Sequence, residues 1–223
     1  MLAPSNPQTV YAVTNDGNVQ VSADFGASWT LSLTGVPGWP RITRQVGVDP
    51  TNDQRAILAV SNFDAEQLLL TLDRGASWVA IDGDLPDVPV NAAAIRPRAG
   101  QDVFYAGADN GVYVSTNGGV NWKRLGGNLP NAPVIDLILD EDRQRLVAAT
   151  QGRGAWSLPI LYTGDFNGDN DVDLEDFAAF ALCLSQSSAG RTGESCLEAF
   201  DSDGDETIDL ADLPDFLAVL TGP

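Results

Sequence analysis

One eight-residue pattern occurs three times and limits what this chain can fold into more than any other feature. It reads SADFGASW at Ser22–Trp29, TLDRGASW at Thr71–Trp78 and STNGGVNW at Ser115–Trp122. Each copy is hydroxyl-x-(Asp/Asn)-x-Gly-x-x-Trp, and the copies begin 49 and 44 residues apart. These residue types describe a tight hairpin turn. The side-chain oxygen of Asp24, Asp73 or Asn117 accepts bonds from turn amides, and Gly26, Gly75 or Gly119 takes a positive φ. Ser22, Thr71 or Ser115 stands at the head of the turn. Trp29, Trp78 or Trp122 returns to pack on the hairpin face.

Between the turns the chain supplies short apolar or alternating runs: NVQV before the first, then RITRQVGV, RAILAVS and QLLLTL before the second. VNAAAIRP, DVFYAGA and GVYVS precede the third, and PVIDLILD, QRLVAAT and GAWSLPI follow it. Four strands about every 45 residues with no helical period is the pattern of propeller blades. Residues 1–161 therefore read as about 3.5 four-stranded blades of a partial or truncated β-propeller, mainly β in class. TVYAV is not a first strand and the run ends one strand short, so the expectation is the C-terminal part of a longer propeller.

The three turns resemble the Asp boxes of the BNR repeat, found in sialidase-, sortilin- and xyloglucanase-type propellers. ATQGRGAWSLPI at 149–160 resembles the last blade of bacterial BNR-repeat proteins. The resemblance covers essentially all of residues 1–160. It implies a propeller fold, with the boxes on the outer edges of the blades and away from a central site. It implies no particular activity.

The chain has no histidine, which excludes Ser-His-Asp triads, Cys-His dyads and His-ligated zinc. Asp82, Asp84 and Asp87 lie in a connection whose form recurs at 126–133 with amides for acids, so they read as structural. Glu66 and Glu141 read as solvated loop or strand-end residues, and Arg153, between two glycines, as a turn guanidinium, the alternative being a residue lining a central channel. No catalytic residue is recognisable. A sialidase-type site needs an arginine cluster, and no spacing marks three of the bases as convergent; a xyloglucanase-type site needs two facing carboxylates.

The last 63 residues differ in kind. Fifteen of the chain's 31 acids and one of its 12 bases fall there, within a formal net charge of −19. Such a segment has no affinity for nucleic acid; it needs cations or stays unfolded. DFNGDNDVDLED at Asp165–Asp176 has the spacing of a twelve-residue loop around one Ca²⁺, with ligands at positions 1, 3, 5, 7, 9 and 12. They are Asp165, Asn167, Asp169, Asp171 through its carbonyl, Asp173 and Asp176. The pattern recurs at Asp201–Asp212 with Asp201, Asp203, Asp205, Thr207 through its carbonyl, Asp209 and Asp212. Val172 and Ile208 at position 8 point inward. The turn position 6 holds Asn170 in one loop and Glu206 in the other, so the second site is expected to bind Ca²⁺ more weakly.

After each loop the apolar period becomes helical, with Phe177, Phe180, Ala181 and Leu184 on one face and Leu213, Phe216, Leu217 and Leu220 on the other helix. Cys183 and Cys196 flank the polar stretch between them. They read as a disulfide in an oxidising compartment, the alternative being two buried thiols.

A loop followed only by its exiting helix, twice, resembles the type I dockerin domain over residues 162–223. The phrasing is close to that of planctomycete dockerin-like modules. The resemblance implies two Ca²⁺ sites and docking to a cohesin-like protein or a cell-surface component. The Ser-Thr recognition pair of dockerins is replaced here by Leu174–Glu175 and Leu210–Ala211.

No apolar run is long enough to span a membrane, and MLAPSNPQTVYAV lacks the regions of a signal peptide. The expected protein is secreted or on the cell surface, combining calcium-dependent docking with a propeller surface for a glycan or protein. The alternative is the C-terminal fragment of a sialidase-like or xyloglucanase-like glycoside hydrolase, with its catalytic residues upstream.

Overall fold

The computed structural model describes residues 1–14, 17–34, 43–98, 102–125, 129–143, 145–160, 164, 166–167, 172–187, 193–201 and 207–220. The chain divides into two compact units, Met1–Leu158 and Pro159–Pro223, the break falling three residues before the expected one.

Among the described residues the first unit contains four antiparallel sheets. Sheet 1 runs β1 (Leu2–Ala3), β2 (Asn6–Val13), β3 (Val19–Ser22), β4 (Thr30–Leu33). Sheet 2 runs β5 (Thr43–Val48), β6 (Ala56–Val60), β7 (Leu68–Thr71), β8 (Val79–Ala80). Sheet 3 runs β9 (Val90–Arg96), β10 (Val103–Ala108), β11 (Gly111–Ser115), β12 (Lys123–Leu125). Sheet 4 has three strands, β13 (Val134–Asp140), β14 (Arg145–Thr150) and β15 (Gly154–Pro159). Every sheet follows sequence order, which is the up-and-down path of a propeller blade. TVYAV lies in β2, the second strand of its sheet, behind a two-residue β1.

The residue pattern explains the stacking. AILAV in β6 is buried at all five positions, so this strand has apolar neighbours on both faces. Ala56, Leu58 and Val60 join Tyr11, Val19, Val21 and Val46 in one core layer. Ile57 and Ala59 join Val90, Ala93, Ile95, Phe104 and Ala106 in the next. Fully burying one Leu or Ile side chain contributes about 1.5–3 kcal/mol. The inner strands approach closely because they carry small residues. A Cβ at Gly47 would stand 2.1 Å from the Ala93 carbonyl oxygen, and one at Gly107 would stand 2.7 Å from Val134 Cγ1.

Polar side chains tie sheet to sheet. Gln45 Nε2 donates to Asp136 Oδ1 at 2.7 Å, while the Ala93 amide donates to Gln45 Oε1 at 3.1 Å, so one side chain joins β5, β9 and β13. Asp53 accepts from Asn6, Thr9 and Arg74, linking sheets 1 and 2. Arg55 pairs with Asp102 between sheets 2 and 3. Arg96, 1% exposed, donates to Glu141 at 3.0 Å between sheets 3 and 4. Glu141 is therefore an ion-pair partner and not simply a solvated residue; it sits in a 3-10 turn, Glu141–Arg143, at the end of β13.

The second unit contains α1 (Leu174–Ser187), α2 (Glu194–Phe200) and α3 (Leu213–Val219). Its core is Val172, Phe180, Cys183, Cys196, Ala199, Phe200, Ile208 and Phe216. Phe180 stacks on Phe216 with ring centroids 5.1 Å apart and meets Phe200 edge-on at 5.3 Å. Two expectations need correction. The buried line of α1 is Asp176, Phe180 and Cys183; Ala181 is exposed and Phe177 largely so, because the carboxylate at loop position 12 takes the inward place one turn before Phe180. The second loop is entered from a helix, since α2 ends at Phe200 immediately before Asp201.

The Gly47 contact makes a quantitative test. Gly47→Val should lower unfolding stability by about 3 kcal/mol, because the obstacle is backbone that cannot swing aside. Thermal or urea denaturation checks it, and an unchanged midpoint contradicts the close approach.

Candidate functional site

The three boxes form the same turn, each joining the third and fourth strands of its sheet. In the first, Ser22 Oγ donates to Asp24 Oδ1 at 2.7 Å and accepts the Gly26 amide at 2.8 Å. Asp24 then accepts the Ser28 amide at 2.8 Å and the Ser28 hydroxyl at 2.6 Å. In the second, Thr71 and Asp73 repeat this with Gly75 and Ser77 at 2.9, 2.8, 2.8 and 2.6 Å. In the third, Ser115 Oγ donates to Asn117 Oδ1 at 3.1 Å, and Gly119 and Asn121 donate their amides at 2.9 Å each. The turn needs two consecutive left-handed residues. Phe25–Gly26, Arg74–Gly75 and Gly118–Gly119 all have φ between 57° and 88°. The pattern reserved the second of these for glycine; the first is occupied by whatever residue stands there.

The tryptophans differ in what they meet. Trp78 Nε1 donates to Ser32 Oγ in β4 at 2.9 Å, and Ser32 donates to the Gly75 carbonyl at 2.5 Å. Trp122 Nε1 donates to the Ile81 carbonyl at 3.0 Å, and its amide donates to Asp84 at 2.6 Å. Each of these boxes is thus fastened to the preceding sheet. Trp29 Nε1 donates to the Gly26 carbonyl of its own turn at 3.0 Å, and the side chain is 43% exposed. All three boxes are bonded turns, and the second and third are also inter-sheet clasps.

The connection acids are similarly engaged. Asp82 accepts the Gln67 amide, Asp84 the Trp122 amide, and Asp87 the Asp64 amide and the Gln67 side chain. Arg153 occupies the turn between β14 and β15 and gives its carbonyl to Trp156 Nε1 at 3.0 Å. Arg96 and Glu141, brought together from 45 residues apart, are the pair that pattern reading missed.

In the second unit Asp165, Asp169, Asp171, Asp203 and Asp205 lie outside the described residues. The remaining positions form two matching ends. Asp173 Oδ1 accepts the Glu175 amide at 2.7 Å and the Asp173 amide donates to Asp176 Oδ2 at 3.0 Å. Asp209 Oδ1 accepts the Ala211 amide at 2.6 Å and the Asp209 amide donates to Asp212 Oδ2 at 2.9 Å. Asp176 also accepts the Phe166 amide at 2.6 Å and the Asn167 amide at 3.3 Å. Asp176 and Asp212 are buried, as are Val172 and Ile208. Asn167 and Thr207 are exposed, and the Asp201 amide donates to the Leu197 carbonyl at the end of α2. Among the described residues no group of three or more acidic or sulfur ligands is gathered in one place. Cys183 and Cys196 form a disulfide with S–S 2.06 Å, joining α1 to α2.

No family model matches the chain, and no curated protein matches it. Solved structures do. The GH74 enzyme of Niastella koreensis is 18% identical with a TM-score of 0.52, covering 67% of this chain and 25% of its own. An ancestral GH74 enzyme is 17% identical with a TM-score of 0.54, covering 70% and 22%. A chain of a nidogen/laminin complex is 16% identical with a TM-score of 0.56, covering 70% and 58%. These likenesses support the β-propeller portion, and the chain spans about a quarter of the GH74 enzymes' length. They offer no support for a dockerin-like reading of residues 162–223.

The bonding in the boxes sets a pH dependence. The Asp24 carboxyl lies well below its ordinary 3.8, at about 2, chiefly because the Ser28 hydroxyl and then the Ser28 amide bond the carboxylate. Asp73 is lowered for the same reason through Ser77. A depressed folded pKa means a contribution that is complete above the unfolded value and is lost as pH falls through the folded one. Acidification from pH 4 to about 2 should therefore loosen the first two turns and spare the third, where Asn117 cannot protonate. NMR titration of the Ser28, Ser77 and Asn121 amides reads this; an Asn121 shift as large as the others contradicts it.

Proposed function

We propose that this chain is a non-catalytic binding and docking protein. Its propeller portion presents a surface for an extracellular protein or polysaccharide, and its acidic unit is a dockerin-like module that holds two Ca²⁺ ions.

The observation that carries the docking half is the duplication of the loop ends. Two buried carboxylates, Asp176 and Asp212, each accept the amide three residues before them, 36 residues apart, beside a buried aliphatic and ahead of a helical core face. Buried carboxylates in a segment with fifteen acids and one base favour a cation that neutralises them. A carboxylate oxygen bonded to one amide keeps a second lone pair for a hard cation. Asp165, Asn167, Asp169, Asp171, Asp173 and Asp176 would hold one ion, and Asp201, Asp203, Asp205, Thr207, Asp209 and Asp212 the other. Ca²⁺ would supply charge neutralisation and fix the loops, so that its binding free energy becomes folding free energy.

The non-catalytic half rests on where the propeller's charges are spent. The acids of the connection hold backbone amides, Arg55 and Arg96 pair with acids of the following sheet, and Arg74 pairs with Asp53. The nidogen/laminin neighbour is a chain of a protein complex, which favours a protein ligand for the surface. The GH74 neighbours favour a second reading, in which this is one part of a polysaccharide-degrading enzyme whose catalytic carboxylates lie elsewhere.

Calcium should raise the far-UV helical signal and the melting temperature of the full chain, and EGTA should reverse both. Asp176→Asn and Asp212→Asn should each weaken one of two binding events by about tenfold or more in calorimetry. A titration without heat or spectral change rejects the calcium assignment. Hydrolysis of xyloglucan by this chain rejects the non-catalytic reading.

A further inference from the structure

We propose that the Cys183–Cys196 bond is a redox-sensitive latch on the acidic unit, a role that rests on the calcium reading of its loops. Reduction of the bond lowers the Ca²⁺ affinity of both loops together, and bound Ca²⁺ in turn shields the bond from reduction.

The bond joins the frames of the two loops. The first loop ends in α1, where Asp176, Phe180 and Cys183 form one buried line. Asp176 ties this line to the loop by accepting the amides of Phe166, Asn167 and Asp173. The second loop begins where α2 ends, and the Asp201 amide donates to the carbonyl of Leu197, the residue after Cys196. The bond therefore fixes the helix that leaves the first loop against the helix that enters the second.

Three noncovalent contacts join the same parts. The Gly164 amide, just before the first loop, donates to the Ala199 carbonyl, just before the second, at 2.8 Å. Phe166 stacks on Phe200 with ring centroids 5.6 Å apart. The Ile208 amide donates to Ser187 Oγ at 3.0 Å, so the far end of α1 holds the inward position of the second loop. With the bond cut, these contacts and the shared aromatic core hold together a segment of fifteen acids and one base. Its self-repulsion favours opening, and calcium binding must then restore the frame as well as fill the loops. Both loops use one frame, so both lose affinity.

The converse follows from linkage: a bond that strengthens calcium binding is strengthened by calcium to the same degree. Burial adds a kinetic barrier. Cys183 is 1% exposed and Cys196 5%, so a thiolate reaches either sulfur only when the unit opens. Calcium bound to the closed form lowers the open population. The reductant is a dithiol. One of its thiolates attacks a cysteine sulfur, the S–S bond breaks, and the other cysteine leaves as a thiolate. The second thiolate then resolves the mixed disulfide. Two electrons and two protons pass to Cys183 and Cys196, and the dithiol becomes a disulfide.

The test uses the intact chain. Calorimetric Ca²⁺ titration of the oxidised chain is compared with that of the chain reduced by dithiothreitol in EGTA and then freed of chelator. Reduction should weaken both binding events about tenfold or more, and Cys183→Ala with Cys196→Ala should match the reduced chain. Dithiothreitol should release thiols from the parent about tenfold or more slowly in Ca²⁺ than in EGTA, a measurement that needs no variant. Equal affinities before and after reduction overturn the latch, as does weakening of one event alone or thiol release at one rate in both buffers. An oxidised chain that gives no heat with Ca²⁺ removes the calcium reading itself, which separates the two failures.

Discussion

The structure depends on its middle sheets being apolar on both faces. A blade buries one face against its predecessor and the other against its successor, so no sheet has a core of its own. Ile57 and Leu58 are adjacent in β6, both fully buried, yet belong to different core layers. Stability in such a stack is shared between neighbours and is not a property of any one sheet. The glycines at 47 and 107 are consequences of this arrangement, because two inner strands can come this close only where a side chain is missing.

The Asp box serves the stack from its rim. Its internal bonds are local, between residues two and four apart, and they rigidify a turn that has two left-handed residues. A rigid turn can present its tryptophan in a fixed direction. Trp78 and Trp122 use that direction to reach acceptors in the sheet before them, on Ser32 and Ile81. The same short sequence therefore sets both the hairpin and the spacing between blades.

This explains what could be read from the residues and what could not. The middle strands were legible because AILAV, VFYAGA and GVYVS are continuous apolar runs, and the boxes were legible because their partners are close in sequence. The outer strands β4, β8 and β12 were not, since TLSL, VA and KRL carry no pattern and are placed by the turn before them. Contacts across the stack, such as Gln45 with Asp136 at a separation of 91 residues, leave no local trace. ESCLEAF was missed as a helix because seven residues are too few for a period to show. In the acidic unit the twelve-residue repeat was legible, while the inward turn of Asp176 in place of Ala181 was not, because it depends on amides at Phe166 and Asn167.

The Cys183–Cys196 bond has a consequence of its own. It joins the buried side of α1 to the buried side of α2 across the polar connection between them. Closing a loop of about this length contributes ~3 kcal/mol in the chain-entropy description. It also makes the polypeptide between the cysteines covalently redundant. A protease that cuts there leaves the two helices as one molecule, still holding both acidic loops, and the break becomes visible only after reduction.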